Sequence, residues 1–92
     1  MLEKDVEQHL VKRVKEIGGR AYKLVSPGNS GVPDRMVCLP EGRIIFIELK
    51  APGKETRPLQ ELQQKRLRDL GNTVYTFDSK QLIDCFIEAC KK

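Results

Sequence analysis

The tightest constraint on this chain is a run of apolar residues that ends in charge. Ile44-Ile45-Phe46-Ile47 leads directly into Glu48-Leu49-Lys50, and Pro33-Asp34 stands one short turn upstream. Read as a strand from Arg43 to Lys50, the run places Ile45, Ile47 and Leu49 on one face. Ile44, Phe46, Glu48 and Lys50 take the other. Both faces are apolar through the middle, which predicts a central strand covered on both sides. Charges at the end of such a strand are costly unless they find partners or do chemistry. Glu48 and Lys50 share a face, roughly 7 Å apart along the strand.

The rest of the pattern supplies the surrounding elements. Leu2 to Ile17 reads as a helix, with Leu2, Val6, Leu10, Val14 and Ile17 on one stripe, Val11 widening it, and Gly18-Gly19 ending it. Glu7 falls between Val14 and Val11 inside the apolar arc. Glu3 also projects inward, from a first turn where solvent makes its charge cheap. Arg20 to Ser26 reads as a first strand, and Pro27 to Gly31 as a loop of turn formers. Asp34 to Leu39 is a second strand, joined to the third by Pro40-Glu41-Gly42. After a basic loop, Ala51 to Arg57, a helix is expected from Pro58 to Leu70 with Leu59, Leu62, Leu67 and Leu70 inward. Gln63 lies within that stripe and Gln60 at its edge. Thr73 to Phe77 is a fourth strand. Ser79 or Asp78 caps a last helix, from Lys80 to about Cys90, with Leu82, Ile83, Phe86 and Ile87 inward. The expected order is αβββαβα. The crossover through the second helix makes the third and fourth strands parallel. The expectation is one α/β domain over residues 1–92, a mixed sheet flanked by helices.

Composition narrows the partners. Ninety-two residues suit one small domain, and the net charge of +4 suits a polyanion. No signal peptide or membrane-length apolar run is present. Cys38, Cys85 and Cys90 are odd in number and lack CxxC-like spacing, so free thiols in a reducing, cytoplasmic compartment are expected rather than a zinc site.

The chemistry is expected at Asp34, Glu48 and Lys50. A hairpin can bring Asp34 and Glu48 to one sheet edge, where two close carboxylates repel unless a cation sits between them. Oxygen donors of this kind suit Mg²⁺, with Mn²⁺ a natural substitute. Such an ion polarises a phosphoryl oxygen and acidifies bound water. Lys50 would orient that water or stabilise negative charge in the transition state. Glu7 would reach the site if the first helix covers this face of the sheet, and Gln60 could hydrogen-bond a phosphate or a metal water. The competing reading is structural: Lys50 pairs with Glu48, and Asp34 caps the turn after Pro33.

These residues resemble the PD-(D/E)xK nucleases, and the fuller pattern resembles the virus-type replication–repair nuclease (VRR-NUC) domain. The resemblance covers nearly the whole chain: Glu7 eleven residues before Gly18, Gly31-Val32-Pro33-Asp34, Ile47-Glu48-Leu49-Lys50, and Pro58-Leu59-Gln60 with Gln60 eleven residues before Gly71. It implies a restriction-endonuclease-like fold. It further implies that Asp34, Glu48 and the Leu49 carbonyl bind the metal, with Glu7 binding directly or through water. Lys50 would be the catalytic lysine and Gln60 a supporting residue. Gln63 and Gln64 compete with Gln60, whose choice rests on family spacing. Short stand-alone members are typical of phages and prophages, which implies a bacterial host cytoplasm.

The implied activity is Mg²⁺-dependent endonucleolytic hydrolysis of DNA. A chain this small offers little surface for reading sequence, so branched DNA such as a Holliday junction fits better than a specific site. A homodimer would match the two-fold symmetry of a four-way junction. Phe86 and Ile87 of the last helix would serve either the core or that interface. Lys23, Arg35, Lys54, Arg57 and Lys65 are the candidate backbone contacts. The alternatives are a non-catalytic DNA-binding or junction-scaffolding module on the same fold, and a small structural domain whose acids are merely paired charges.

Overall fold

The computed structural model of the chain describes residues 2–91. Its elements run α1 (Glu3–Glu16), β1 (Arg20–Lys23), β2 (Arg35–Leu39), β3 (Arg43–Leu49), α2 (Pro58–Asp69), β4 (Thr73–Phe77) and α3 (Lys80–Cys90), the αβββαβα order expected. The strands form one sheet in the order β1-β2-β3-β4. β1–β2 and β2–β3 are antiparallel, and β3–β4 is parallel across the α2 crossover. The 3₁₀ turn Pro40–Gly42 closes the hairpin between β2 and β3.

Strand alternation sorts the side chains into two unequal faces. Val37 and Leu39 of β2, Ile47 and Leu49 of β3 and Phe77 of β4 point to one face. There they meet Val6, Leu10 and Val14 of α1 and Ile83, Phe86 and Ile87 of α3, all buried. Phe86 and Ile87 therefore belong to the core and are not free for an interface. Ser79, rather than Asp78, caps α3, its Oγ accepting from the Leu82 N–H at 3.2 Å. Leu82, expected inward, is 45 % exposed.

The second face carries α2 alone, and α2 is turned contrary to its leucines. Leu59, Leu62 and Leu70 are exposed, and the buried residue of the helix is Gln64. Gln60 and Gln64, one turn apart, face the sheet, with Gln63 and Leu67 half-buried beside them and the exposed Arg68 reaching back to it. Gln64 Nε2 donates to Thr76 Oγ1 at 3.0 Å, and Arg68 Nη2 donates to the Val74 carbonyl at 2.9 Å. Hydrogen bonds to β4, together with one from Gln63 Nε2 to the Ser30 carbonyl at 3.2 Å, hold α2 where an apolar stripe was expected. β3 is consequently central but not covered on both faces along its length, and Ile44 is 51 % exposed.

Strand ends differ slightly from expectation. β1 stops at Lys23, β2 begins at Arg35 and β3 ends at Leu49, so Asp34 and Lys50 each lie one residue beyond a strand.

Candidate active site

The β2–β3 register pairs Arg35 with Ile47 and Met36 with Phe46. Continued by one residue, it sets Asp34 opposite Glu48, on the face that α2 overlies. Asp34 reaches across to the neighbouring strand. Its Oδ1 accepts from the Leu49 N–H at 3.0 Å, extending the ladder through a side chain. A strand residue projects its N–H and C=O to the same flank, so the Leu49 carbonyl also faces the Asp34 side. Lys50 alternates to the other flank, its N–H donating to the Phe77 carbonyl at 3.0 Å.

Glu48 is 5 % exposed and Lys50 is 7 % exposed. Gln60, in the first turn of α2, holds one oxygen of Glu48. Its Nε2 donates to Glu48 Oε2 at 3.2 Å, and its own Oε1 accepts from the Arg57 N–H at 2.9 Å. The backbone donor at the helix start thus orients the amide with its NH₂ toward the carboxylate. Glu48 Oε1 is buried and has no hydrogen-bond partner.

The electrostatics follow from that burial. Desolvation pushes the Glu48 carboxyl up from its ordinary 4.5 to about 7; the Asp34 charge adds to the rise, and Lys50 opposes it. Asp34 is also raised by desolvation, with the Leu49 N–H opposing. Among the described residues Lys50 makes no ion pair with any acid, so the structural Lys50–Glu48 bridge does not form.

The α1 acids divide differently from the sequence expectation. Arg35 belongs to the core-facing set of β2, and α1 covers that face rather than the one bearing Glu48. Glu7 Oε2 accordingly meets Arg35 Nη2 at 3.0 Å, while Arg35 Nη1 donates to the Ala21 carbonyl at 3.1 Å. The structure does not bring Glu7 into the Asp34–Glu48 cluster. Glu3, one turn earlier, is the α1 acid whose charge is felt at the site, and it raises both carboxyls. It lies on the same side of α1 as Glu7, which was the signal available in the sequence; solvent exposure at the first turn argued against it.

The candidate backbone contacts also separate. Lys23, Lys54 and Arg57 are exposed, and the Arg57 charge is felt at Glu48. Arg35, with its side chain 11 % exposed and bound to Glu7 and Ala21, is not free for a phosphate. Lys65 is exposed and paired with Asp69 at 2.6 Å.

The donors present fit a hard divalent cation: two carboxylates, one with an orphaned buried oxygen, and a backbone carbonyl on the same flank. Among the described residues no group of three or more His, Cys, Asp or Glu side chains gathers as a metal cage. Water would complete such a sphere, as is usual for Mg²⁺. A separate hollow of about 430 Å³ lies between Val11 and Lys15 of α1 and Arg20–Tyr22 of β1. No carboxylate lines it.

No protein-family model matches the sequence. The chain is 54 % identical over 80 residues to "Putative nuclease p44" of Acyrthosiphon pisum secondary endosymbiont phage 1, covering 87 % of this chain and 86 % of that protein. A solved structure of a VRR_NUC domain superposes with a TM-score of 0.87 at 34 % identity, covering 94 % of each chain. With both relationships spanning almost the whole length, and with Asp34, Glu48 and Lys50 gathered at the strand ends, the chain belongs to the VRR-NUC family.

Proposed function

We propose that the protein is a divalent-metal-dependent DNA endonuclease that hydrolyses phosphodiester bonds. The observation that carries this reading is the Asp34–Glu48 pair: two adjacent acids, Asp34 half-buried and Glu48 buried with one oxygen orphaned, beside a buried lysine with no acid partner among the described residues. A purely structural arrangement would have paired Lys50 with Glu48 and left no orphan. The phage relative named as a nuclease supports the same reading.

Asp34, Glu48 and the Leu49 carbonyl would hold Mg²⁺, or Mn²⁺ in its place. The ion would neutralise the acid pair, polarise a phosphoryl oxygen and lower the pKa of bound water. Gln60 fixes Glu48 so that its free oxygen points away from α2's amide. Lys50, held nearby on the same face, supplies positive charge where negative charge develops in the transition state, or takes up a proton from the attacking water. Arg57, Lys54 and Lys23 are the exposed cations available to the DNA backbone.

Branched DNA is the preferred substrate in this reading, because a chain this small offers little surface for reading sequence. A two-fold symmetric junction suits a homodimer. The exposed Leu59, Leu62 and Leu70 support such an assembly, since Phe86 and Ile87 are committed to the core. No helix among the described residues is long and apolar enough to cross a membrane, in keeping with action in the host cytoplasm.

The test is incubation of the purified protein with a synthetic four-way junction, a flap and linear duplex, with Mg²⁺ and with chelator. Metal-dependent cutting of the branched substrates is expected. Absence of cutting on all three, with DNA binding retained, would favour the junction-scaffolding alternative.

A further inference from the structure

We propose that Gln64 and Thr76 are positioning residues of the active site, acting through the Gln60–Glu48 hydrogen bond; this rests on the nuclease reading above. The β3–β4 register places Thr76 beside Glu48, so both side chains face α2. Gln60 and Gln64 lie one helical turn apart and make successive rungs onto those two residues: Gln60 to Glu48 at 3.2 Å and Gln64 to Thr76 at 3.0 Å. Arg68 continues the line, donating to Gln64 Oε1 at 3.3 Å and to the Val74 carbonyl at 2.9 Å. Gln64 is 4 % exposed. A glutamine at that depth is retained only if its amide is satisfied, and here both ends are.

The consequence is mechanical. Leu59, Leu62 and Leu70 of α2 are exposed and Leu67 is only half-buried, so apolar packing constrains the rotation of the helix less than a buried leucine stripe would. Beside the Gln63–Ser30 hydrogen bond and the Gly31–Leu59 contact with the loop, the Gln64–Thr76 rung is the contact with the sheet that takes over that role, and it sets the angle from which Gln60 meets Glu48. Losing it would let α2 turn toward burying Leu59 and Leu62, and the Gln60 amide would leave Glu48 Oε2. Glu48 would then be free to rotate, and the acid pair would lose its preset geometry for a cation. Outer residues that orient a ligand in this way typically contribute 10–100-fold in metal affinity or activity.

The test compares wild type with Gln64→Met, Thr76→Val and Thr76→Ser. Each is measured by calorimetric Mn²⁺ titration, by the Mg²⁺ dependence of cleavage of a four-way junction, and by urea denaturation with chelator. Gln64→Met and Thr76→Val are expected to weaken Mn²⁺ binding about tenfold and to raise the Mg²⁺ needed for half-maximal rate similarly. The KM for DNA at saturating metal should hold. Thr76→Ser, which keeps the hydroxyl, should restore wild-type behaviour. Wild-type metal affinity and Mg²⁺ dependence in Gln64→Met and Thr76→Val would overturn the proposal, even if either variant were less stable. Should Gln64→Met fail to fold, the Thr76→Val and Thr76→Ser pair decides. Failure of the wild type to cut any DNA would instead overturn the nuclease reading, and the Mn²⁺ titration would still judge the positioning role.

Discussion

Gln60 binds one oxygen of Glu48 at 3.2 Å and leaves the other buried without a partner. The first contact favours the charged carboxylate; the second leaves that charge incompletely solvated. Gln60→Ala removes the single donor. The rate with Mg²⁺ should fall by roughly 10–100-fold, with the larger effect at low metal concentration, where ion binding limits the rate. The check is a Mg²⁺ titration of initial cleavage rates for both proteins. Equal curves would show that Gln60 only caps its own helix through the Arg57 N–H.

The raised carboxyls give metal-free stability a direction with pH. Glu48 is ordinary at 4.5 when unfolded and sits at about 7 when folded. Below 4.5 both states carry the proton and the folded state suffers no penalty. Between the two values the unfolded chain releases its proton while the folded chain retains it, so stability is lost as pH rises toward 7. Asp34 is raised as well and acts in the same sense. In chelator the melting temperature should therefore drop by several degrees from pH 5 to pH 8 on account of this pair. Added Mg²⁺ should restore it at pH 8 and do little at pH 5, because a cation competes with the proton for the same oxygens. Thermal melts at the two pH values, with and without Mg²⁺, test this. A Mg²⁺ stabilisation at pH 5 equal to that at pH 8 would place the ion elsewhere.

Gly31 joins the Asp34 loop to α2 by close contact. Its φ is +88°, and a Cβ there would lie 2.8 Å from the Leu59 carbonyl oxygen. Gly31→Ala therefore meets both backbone strain and a backbone clash, and should cost about 2–3 kcal/mol. Gly28 has a φ of +80° but open space around it, so Gly28→Ala should cost about 1 kcal/mol. Urea denaturation of the two variants separates the terms. Equal losses would mean that the loop and α2 do not touch as described.

Much of the fold was legible because the local signals agreed with one another. The Ile44–Ile47 run, the turn at Pro40–Gly42 and the α2 crossover each have one economical solution, and the sheet order follows. Asp34, Glu48 and Lys50 stand out as the candidate site because a charge at the end of an apolar strand needs a reason. The rotation of α2 was not legible. Periodicity assumes that leucines face inward, and a one-turn pair of glutamines reaching Glu48 and Thr76 outweighs that assumption only through contacts distant in sequence. Glu7 was misplaced for a related reason. Its inward direction was correct, but which face of the sheet α1 covers depends on the partner it finds, and Arg35 is that partner.

The two α1 acids should therefore separate stability from metal response. Glu7 neutralises Arg35, whose side chain is only 11 % exposed and whose Nε is buried without a hydrogen bond. Breaking a well-buried pair on one side costs about 3–5 kcal/mol, and the Glu7 side chain, 36 % exposed, moves the expectation down to about 1–2 kcal/mol. Glu7→Gln should lower the urea midpoint accordingly while leaving the apparent Mg²⁺ affinity within about twofold. Glu3 is exposed and bears on the site through charge alone. Glu3→Gln should leave the urea midpoint in chelator unchanged or slightly raised, since repulsion at Asp34 and Glu48 is relieved, and should weaken Mg²⁺ binding several-fold by removing one nearby negative charge. Because that interaction crosses solvent, the Glu3 effect should shrink as monovalent salt is raised toward 1 M, where the screening length falls to about 3 Å. Denaturation and Mn²⁺ titration on the two variants give four numbers. The reverse pattern, with Glu7→Gln losing metal affinity at unchanged stability, would return Glu7 to the metal site and make its contact with Arg35 incidental.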